Sequence, residues 1–128
     1  VPCDIFSPCA LGAIINDDTI PRLTCRIIAG AANNQLAEPR HADILHEQYI
    51  VHAVDYVINA GGLINVSYEA EGCYDEAAAR AKTSTIYYTI QNLLDLARTE
   101  KINTNRAAML MAQNALRHTP VELREAVL

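Results

Sequence analysis

With 128 residues, the chain has the length of one ordinary domain or of part of a larger protein. Apolar residues make up 51% of it and charged ones 20%, a folding composition and not that of a disordered tail. Fifteen acidic against ten basic residues give a formal charge of −5, which argues against a nucleic-acid or anionic-membrane partner.

No apolar run approaches the roughly 20 residues of a membrane span. The chain opens on Val1-Pro2, without methionine and without the basic and apolar regions of a signal peptide. A piece of a longer, cytoplasmic polypeptide is expected.

In chain order, Asp4-Ile5-Phe6 reads as a short strand broken by Ser7-Pro8-Cys9. Ala10 to Ile15 is a short helical or irregular apolar segment, ended by the polar cluster Asn16-Asp17-Asp18-Thr19. Cys25 to Ala29 reads as a buried strand stopping at Gly30-Ala31-Ala32-Asn33-Asn34. A helix is expected from near Pro39, since proline suits a first turn, to about Gln48. Tyr49 to Ala53 and Tyr56 to Ile58 are the next extended pieces. The second is cut by Asn59-Ala60-Gly61-Gly62, where helical spacing resumes at Leu63, Ile64 and Val66.

Beyond Gly72 the pattern is helical. Asp75 is a suitable N-cap, and Ile86, Ile90, Leu93, Leu94 and Ala97 form one stripe of a long amphipathic helix. Thr104 is expected to cap another helix, with Ala108, Met111, Ala112, Ala115 and Leu116 on one face. Thr119-Pro120-Val121-Glu122 has the spacing of a further capped start. Strands alternating with helices, followed by helices alone, indicate an α/β layer with helical additions.

Cys3, Cys9, Cys25 and Cys73 show no C-x-x-C and no zinc spacing, so free, buried or semi-buried thiols are expected and no metal site. His41 and His46 sit in the charged run Glu38 to Glu47 and read as solvated. G-x-G-x-x-G, P-loop and G-x-S-x-G patterns are absent. What remains is three strand ends, Ser7 to Ala10, Gly30 to Asn34 and Asn59 to Gly62, each small and able to donate hydrogen bonds. Together they describe a crevice for a polar small molecule at the carboxyl edge of a sheet. A tight turn needing glycine for steric reasons is the plainer reading of any one of them.

These same residues carry a family resemblance. Asp4 to Ala13, Ile28 to Leu36 and Tyr56 to Gly62, linked by Arg40-His41-Ala42-Asp43-Ile44, resemble the second half of the NAD-binding domain of amino-acid dehydrogenases of the leucine, valine and phenylalanine type. The leucine-type members are the nearest. The resemblance implies an α/β fold. A partial Rossmann-like domain would span residues 1–103, and carboxyl-terminal helices over 104–128 would return toward a substrate domain.

It also implies NAD-dependent, reversible oxidative deamination of an apolar, branched-chain amino acid to its 2-oxo acid and ammonia, by a protein that forms homo-oligomers. Cys9, Ala10, Ala31, Asn33 and Asn34 become cofactor contacts, with Asn34, Leu63 and Val66 facing the substrate. Either asparagine could instead form a turn, and Leu63 and Val66 could instead be ordinary helix packing.

Some features of the family have no counterpart here. Its catalytic lysine and aspartate lie on an earlier domain, and its glycine fingerprint and ribose-binding carboxylate lie in the first half of the nucleotide domain. No catalytic residue is therefore assigned to these 128 residues, which alone are expected to be inactive. NAD is expected over NADP only by analogy. The competing class is a non-catalytic binding or oligomerisation module that uses the helix from Asp75 to Arg98 as its surface.

Overall fold

The structure, a computed structural model, describes residues 1–70, 72 and 74–118. Its centre is a parallel sheet of three short strands in sequential order: β1 (Ile5–Phe6), β2 (Ile27–Ile28) and β3 (Val51–His52). Ile5 pairs with Ile27 and Ile27 with Val51, while Phe6, Ile28 and His52 form the next row. Side chains alternate across a sheet. The second row therefore points inward, with Ile28 and His52 buried, and the first row leaves Ile5, Ile27 and Val51 exposed.

Parallel strands need crossovers. The first is irregular and contains a single 3-10 turn at Ile20–Arg22, set by Pro21 and by Asn16, whose Oδ1 accepts the Asp18 and Thr19 amides. The second carries α1 (Arg40–Glu47), with Pro39 at its N-cap. Ile15, Ile20, Cys25, Ile28, Leu45 and Ile50 close the core between sheet and crossovers. Burying such a side chain is worth about 1.5–3 kcal/mol.

Three longer helices follow: α3 (Gly61–Ala70), α4 (Glu76–Glu100) and α5 (Thr104–His118). Asp75 caps α4 as expected, its Oδ1 accepting the Ala78 amide at 3.1 Å. Lys101 ends the helix in the left-handed conformation, φ 54°. Leu93 and Ala97 from the expected stripe meet Val54, Ala107 and Ala108 in a second core.

Several expectations are corrected. Tyr56 to Ile58 is not extended but belongs to a helical turn, α2 (Asp55–Ile58). Three apolar residues are too few for periodicity to separate strand from helix. Here the buried Asp55 carboxylate holds the Gln35 amide at 3.2 Å and Val57 packs on the second core, which ends the strand at His52. The glycine junction therefore lies a helical turn beyond the sheet. Tyr49, expected as strand, is left-handed with φ 58°.

Asn103, not Thr104, caps α5. Its Oδ1 accepts the Arg106 amide at 2.8 Å while its Nδ2 donates to Asp43 at 2.6 Å. Among the described side chains of α5, only Ala107 and Ala108 are buried, and Ala112, Ala115 and Leu116 are exposed. His41 is buried and not solvated, because Nδ1 accepts the Glu38 amide at 3.0 Å at the start of α1. Its Nε2 lies 3.4 Å from Asp17 without hydrogen-bond geometry. Cys3 and Cys9 are exposed, and Cys25 alone of the described cysteines is buried. The capped start expected at Thr119 to Glu122 and the side chain of Cys73 lie outside the described residues.

Candidate functional site

The carboxyl ends of all three strands open on one edge, and the loops after them are fastened to each other. Pro8 in the first loop accepts the Ala32 amide at 3.0 Å through its carbonyl oxygen. A Cβ added at Gly30 would lie 2.1 Å from that oxygen, so this close approach requires glycine. Cys9 Sγ lies 3.3 Å from Ser7 Oγ and accepts the Ala31 amide at 3.5 Å. The Ala31 amide, and after it the Ser7 hydroxyl, hold this exposed thiol below the usual thiol range.

The second loop is clamped from the other side by residues 13–15. Ala13 donates to the Asn34 carbonyl at 2.7 Å and Ile15 to that of Gln35 at 2.9 Å. Asn34 is left-handed, φ 51°, a conformation that asparagine tolerates better than most residues. Its side-chain amide makes no hydrogen bond among the described residues and is exposed. Asn33 is also exposed, and its Oδ1 accepts Asn59 Nδ2 at 2.6 Å. The same Asn59 nitrogen donates to the Ala31 carbonyl at 3.2 Å. The third loop thus holds the second.

Of the expected site residues, the structure brings Cys9, Ala31, Asn33 and Asn34 onto this edge, with Ala10 exposed beside Cys9. Leu63 and Val66 reach it only through the chain that follows Asn59. They are 75% and 56% exposed on α3, which buries no residue, so neither packs into the core. A cleft of about 630 Å³ runs from Asn34 past Asp55 to α1 and α5.

Beneath the second loop lies a polar group that sequence reasoning missed. Gln35, fully buried, donates from Nε2 to the Gly30 and Ala32 carbonyls at 2.7 and 2.9 Å. Its Oε1 lies 3.3 Å from His52 Nε2, and Asn105 of α5 lies 3.0 Å from His52 Nδ1. Burial holds His52 below the usual imidazole range, opposed by Asn105 and Asp55. Asn59 also went unassigned, although its place in the glycine junction was a signal.

Residues 1–119 match the sequence pattern of the Glutamate/Leucine/Phenylalanine/Valine dehydrogenase family. The chain belongs to this family. It is 53% identical over 116 residues to the leucine dehydrogenase of Geobacillus stearothermophilus, covering 91% of this chain and 31% of that enzyme. It is 49% identical over 106 residues to the phenylalanine dehydrogenase of Thermoactinomyces intermedius, covering 83% and 29%. The crystal structure of L-tryptophan dehydrogenase from Nostoc punctiforme superposes with a TM-score of 0.89 at 46% identity, over 93% of this chain and 36% of that one. The chain thus spans about a third of the length of these relatives, and its parallel sheet with flanking helices is a Rossmann-like α/β unit.

Proposed function

We propose that this chain supplies the nicotinamide side of an amino-acid dehydrogenase that oxidatively deaminates apolar, branched-chain L-amino acids with NAD. The observation that carries the reading is the fastening of three strand-end loops into one edge bearing Cys9, Ala10, Ala31, Asn33 and Asn34, in a member of this family.

The donor set suits the nicotinamide end of a dinucleotide. The exposed Asn33 and Asn34 amides match its carboxamide and ribose hydroxyls, and the glycine at 30 lets two loops close up beneath it. No glycine fingerprint is present for the diphosphate, so that anchor is assigned outside these residues. When bound, NAD accepts the hydride from the substrate Cα, leaving an imino acid that water converts to the 2-oxo acid and ammonia. Asn34 then meets the substrate carboxylate, and Leu63 and Val66 form an aliphatic wall for its side chain. Proton transfer is assigned to residues outside this chain.

An apolar substrate is expected because neither wall residue offers a partner to a charged or amide group, and leucine, isoleucine and valine come before aromatic substrates because leucine at position 63 takes more room than valine would. The resemblance to phenylalanine and tryptophan dehydrogenases makes aromatic substrates the second reading. A cytoplasmic homo-oligomer without a nucleic-acid or membrane partner completes the proposal.

NAD reduction by the complete protein, assayed with leucine, isoleucine, valine, phenylalanine, tryptophan and glutamate, tests it. The three branched-chain substrates should react within roughly a hundredfold of one another, since a methylene is worth about 1–3 kcal/mol in an apolar pocket. A preference for glutamate, or no reduction with any amino acid, would overturn the reading.

A further inference from the structure

The buried Gln35 and His52 side chains and the half-buried Asn105 form a chain of hydrogen bonds whose direction can be worked out. Both amide hydrogens of Gln35 go to carbonyl oxygens, of Gly30 at 2.7 Å and Ala32 at 2.9 Å. The carboxamide cannot be turned over, because its oxygen would then face those two oxygens. Oε1 is therefore fixed toward His52 Nε2, 3.3 Å away, and that nitrogen must carry the hydrogen.

A neutral ring with hydrogen on Nε2 has a lone pair on Nδ1. The structure places Asn105 Oδ1 3.0 Å from Nδ1, two acceptors face to face. A half-turn of the Asn105 carboxamide puts Nδ2 there instead and satisfies both groups. Burial favours the neutral ring. Every bond then runs one way: Asn105 donates to His52, His52 to Gln35, and Gln35 to the loop.

We propose that Asn105, His52 and Gln35 are positioning residues that tie the first turn of α5 to the Gly30–Asn34 loop through a single tautomer of His52. Turning the Gly30 and Ala32 carbonyls inward leaves Ala31 and Asn33, the neighbours between and beyond them, on the exposed side. Asp55 reinforces the arrangement by accepting the Gln35 main-chain amide at 3.2 Å. Gln35 and His52 are buried behind the exposed edge and Asn105 is half-buried in the cleft that starts at Asn34, so the effect of Gln35 and His52 on a ligand passes through the loop. The inference rests on the nicotinamide reading of that edge.

The discriminating variant is Asn105→Asp, which keeps size and shape but removes the donor. A carboxylate there demands a hydrogen on Nδ1, which reverses the tautomer or charges the ring and disturbs the bond to Gln35. In the complete enzyme labelled with 15N-histidine, solid-state NMR should show His52 protonated on Nε2 alone in the unaltered protein and on Nδ1 in the variant. The KM for NAD should rise about fivefold or more, with the KM for the amino acid changed less than twofold and the melting temperature nearly unchanged.

An unaltered protein with His52 protonated on Nδ1 overturns the relay, and that measurement needs no variant to fold. An active variant with unchanged KM for NAD also overturns it. Failure of the unaltered enzyme to reduce NAD with any amino acid would instead sink the functional reading, and leave the tautomer result standing.

Discussion

The Gly30–Asn34 loop and helix α3 follow successive parts of the same edge, yet they are built in opposite ways. The loop is held by main-chain bonds to Pro8 and Ala13, by the Asn59 side chain and by the buried Gln35, whose own carbonyl accepts the Ile15 amide. Few of those contacts can change without moving the backbone. Helix α3 buries nothing and shows Leu63 and Val66 to solvent. Under the function proposed above, such a site keeps the group common to all reactions on a fixed backbone. It leaves discrimination between side chains to positions that can be altered with little effect on folding.

The largest expected effect is at the fixed end of this contrast. Gly30→Ala drives a Cβ to 2.1 Å from the Pro8 carbonyl oxygen and 2.5 Å from the Pro8 nitrogen, both main-chain atoms that cannot step aside. A destabilisation of about 3 kcal/mol or more is expected, from over-packing against rigid neighbours. Denaturant unfolding of the complete protein checks it; a loss below about 1 kcal/mol would show that the two loops are not locked.

At the other end, Leu63→Ala should leave unfolding within about 0.5 kcal/mol of the parent. In the complete enzyme it should shift the kcat/KM ratio toward phenylalanine or tryptophan by tenfold or more, on the order of 1–3 kcal/mol. An unchanged ratio, or a large loss of stability, would remove the distinction between loop and helix.

Asn33→Ala and Asn34→Ala sharpen the comparison within the loop itself. Each should lower kcat/KM by about tenfold, the worth of one strong hydrogen bond. Asn34→Ala should also cost about 1 kcal/mol of stability, because alanine is poorly suited to φ 51°. Asn34→Gly should restore the stability but not the activity. Equal activities in parent and both alanine variants would make these residues turn formers only.

The smallest effect concerns pH. Burial lowers the His52 pKa in the folded chain, so between the folded and unfolded values the unfolded chain binds more protons. The stabilisation is therefore complete above the unfolded value of about 6.5 and is lost as pH falls through the lower folded value. His52→Gln should flatten the fall in unfolding free energy below about pH 6.5, where one proton can contribute at most about 1.4 kcal/mol per pH unit. An identical pH slope in the variant would mean that His52 is not the group responsible.

What the sequence revealed, and what it hid, follows the same division. The strands at Ile5–Phe6 and Ile27–Ile28, helix α1 and the capped helix α4 were legible because short apolar runs, a proline and an N-cap act locally. The turn at Asp55–Ile58 was not, since Asp55 is held by the distant Gln35 amide and Val57 packs on a core formed by residues far along the chain. His41 looked solvated among charges, yet it is buried, with its Nδ1 accepting the Glu38 main-chain amide at the start of α1. The Gln35, His52 and Asn105 group joins residues 17 and 53 positions apart, and nothing in the neighbouring residues of any of them announces the others.

A crystal structure of the complete protein with NAD and a branched-chain 2-oxo acid tests the proposed site directly. The nicotinamide is expected against Cys9, Ala10, Ala31, Asn33 and Asn34, with the aliphatic end of the oxo acid on Leu63 and Val66. A dinucleotide bound away from this edge, or Leu63 and Val66 covered by protein with the ligand elsewhere, would contradict it.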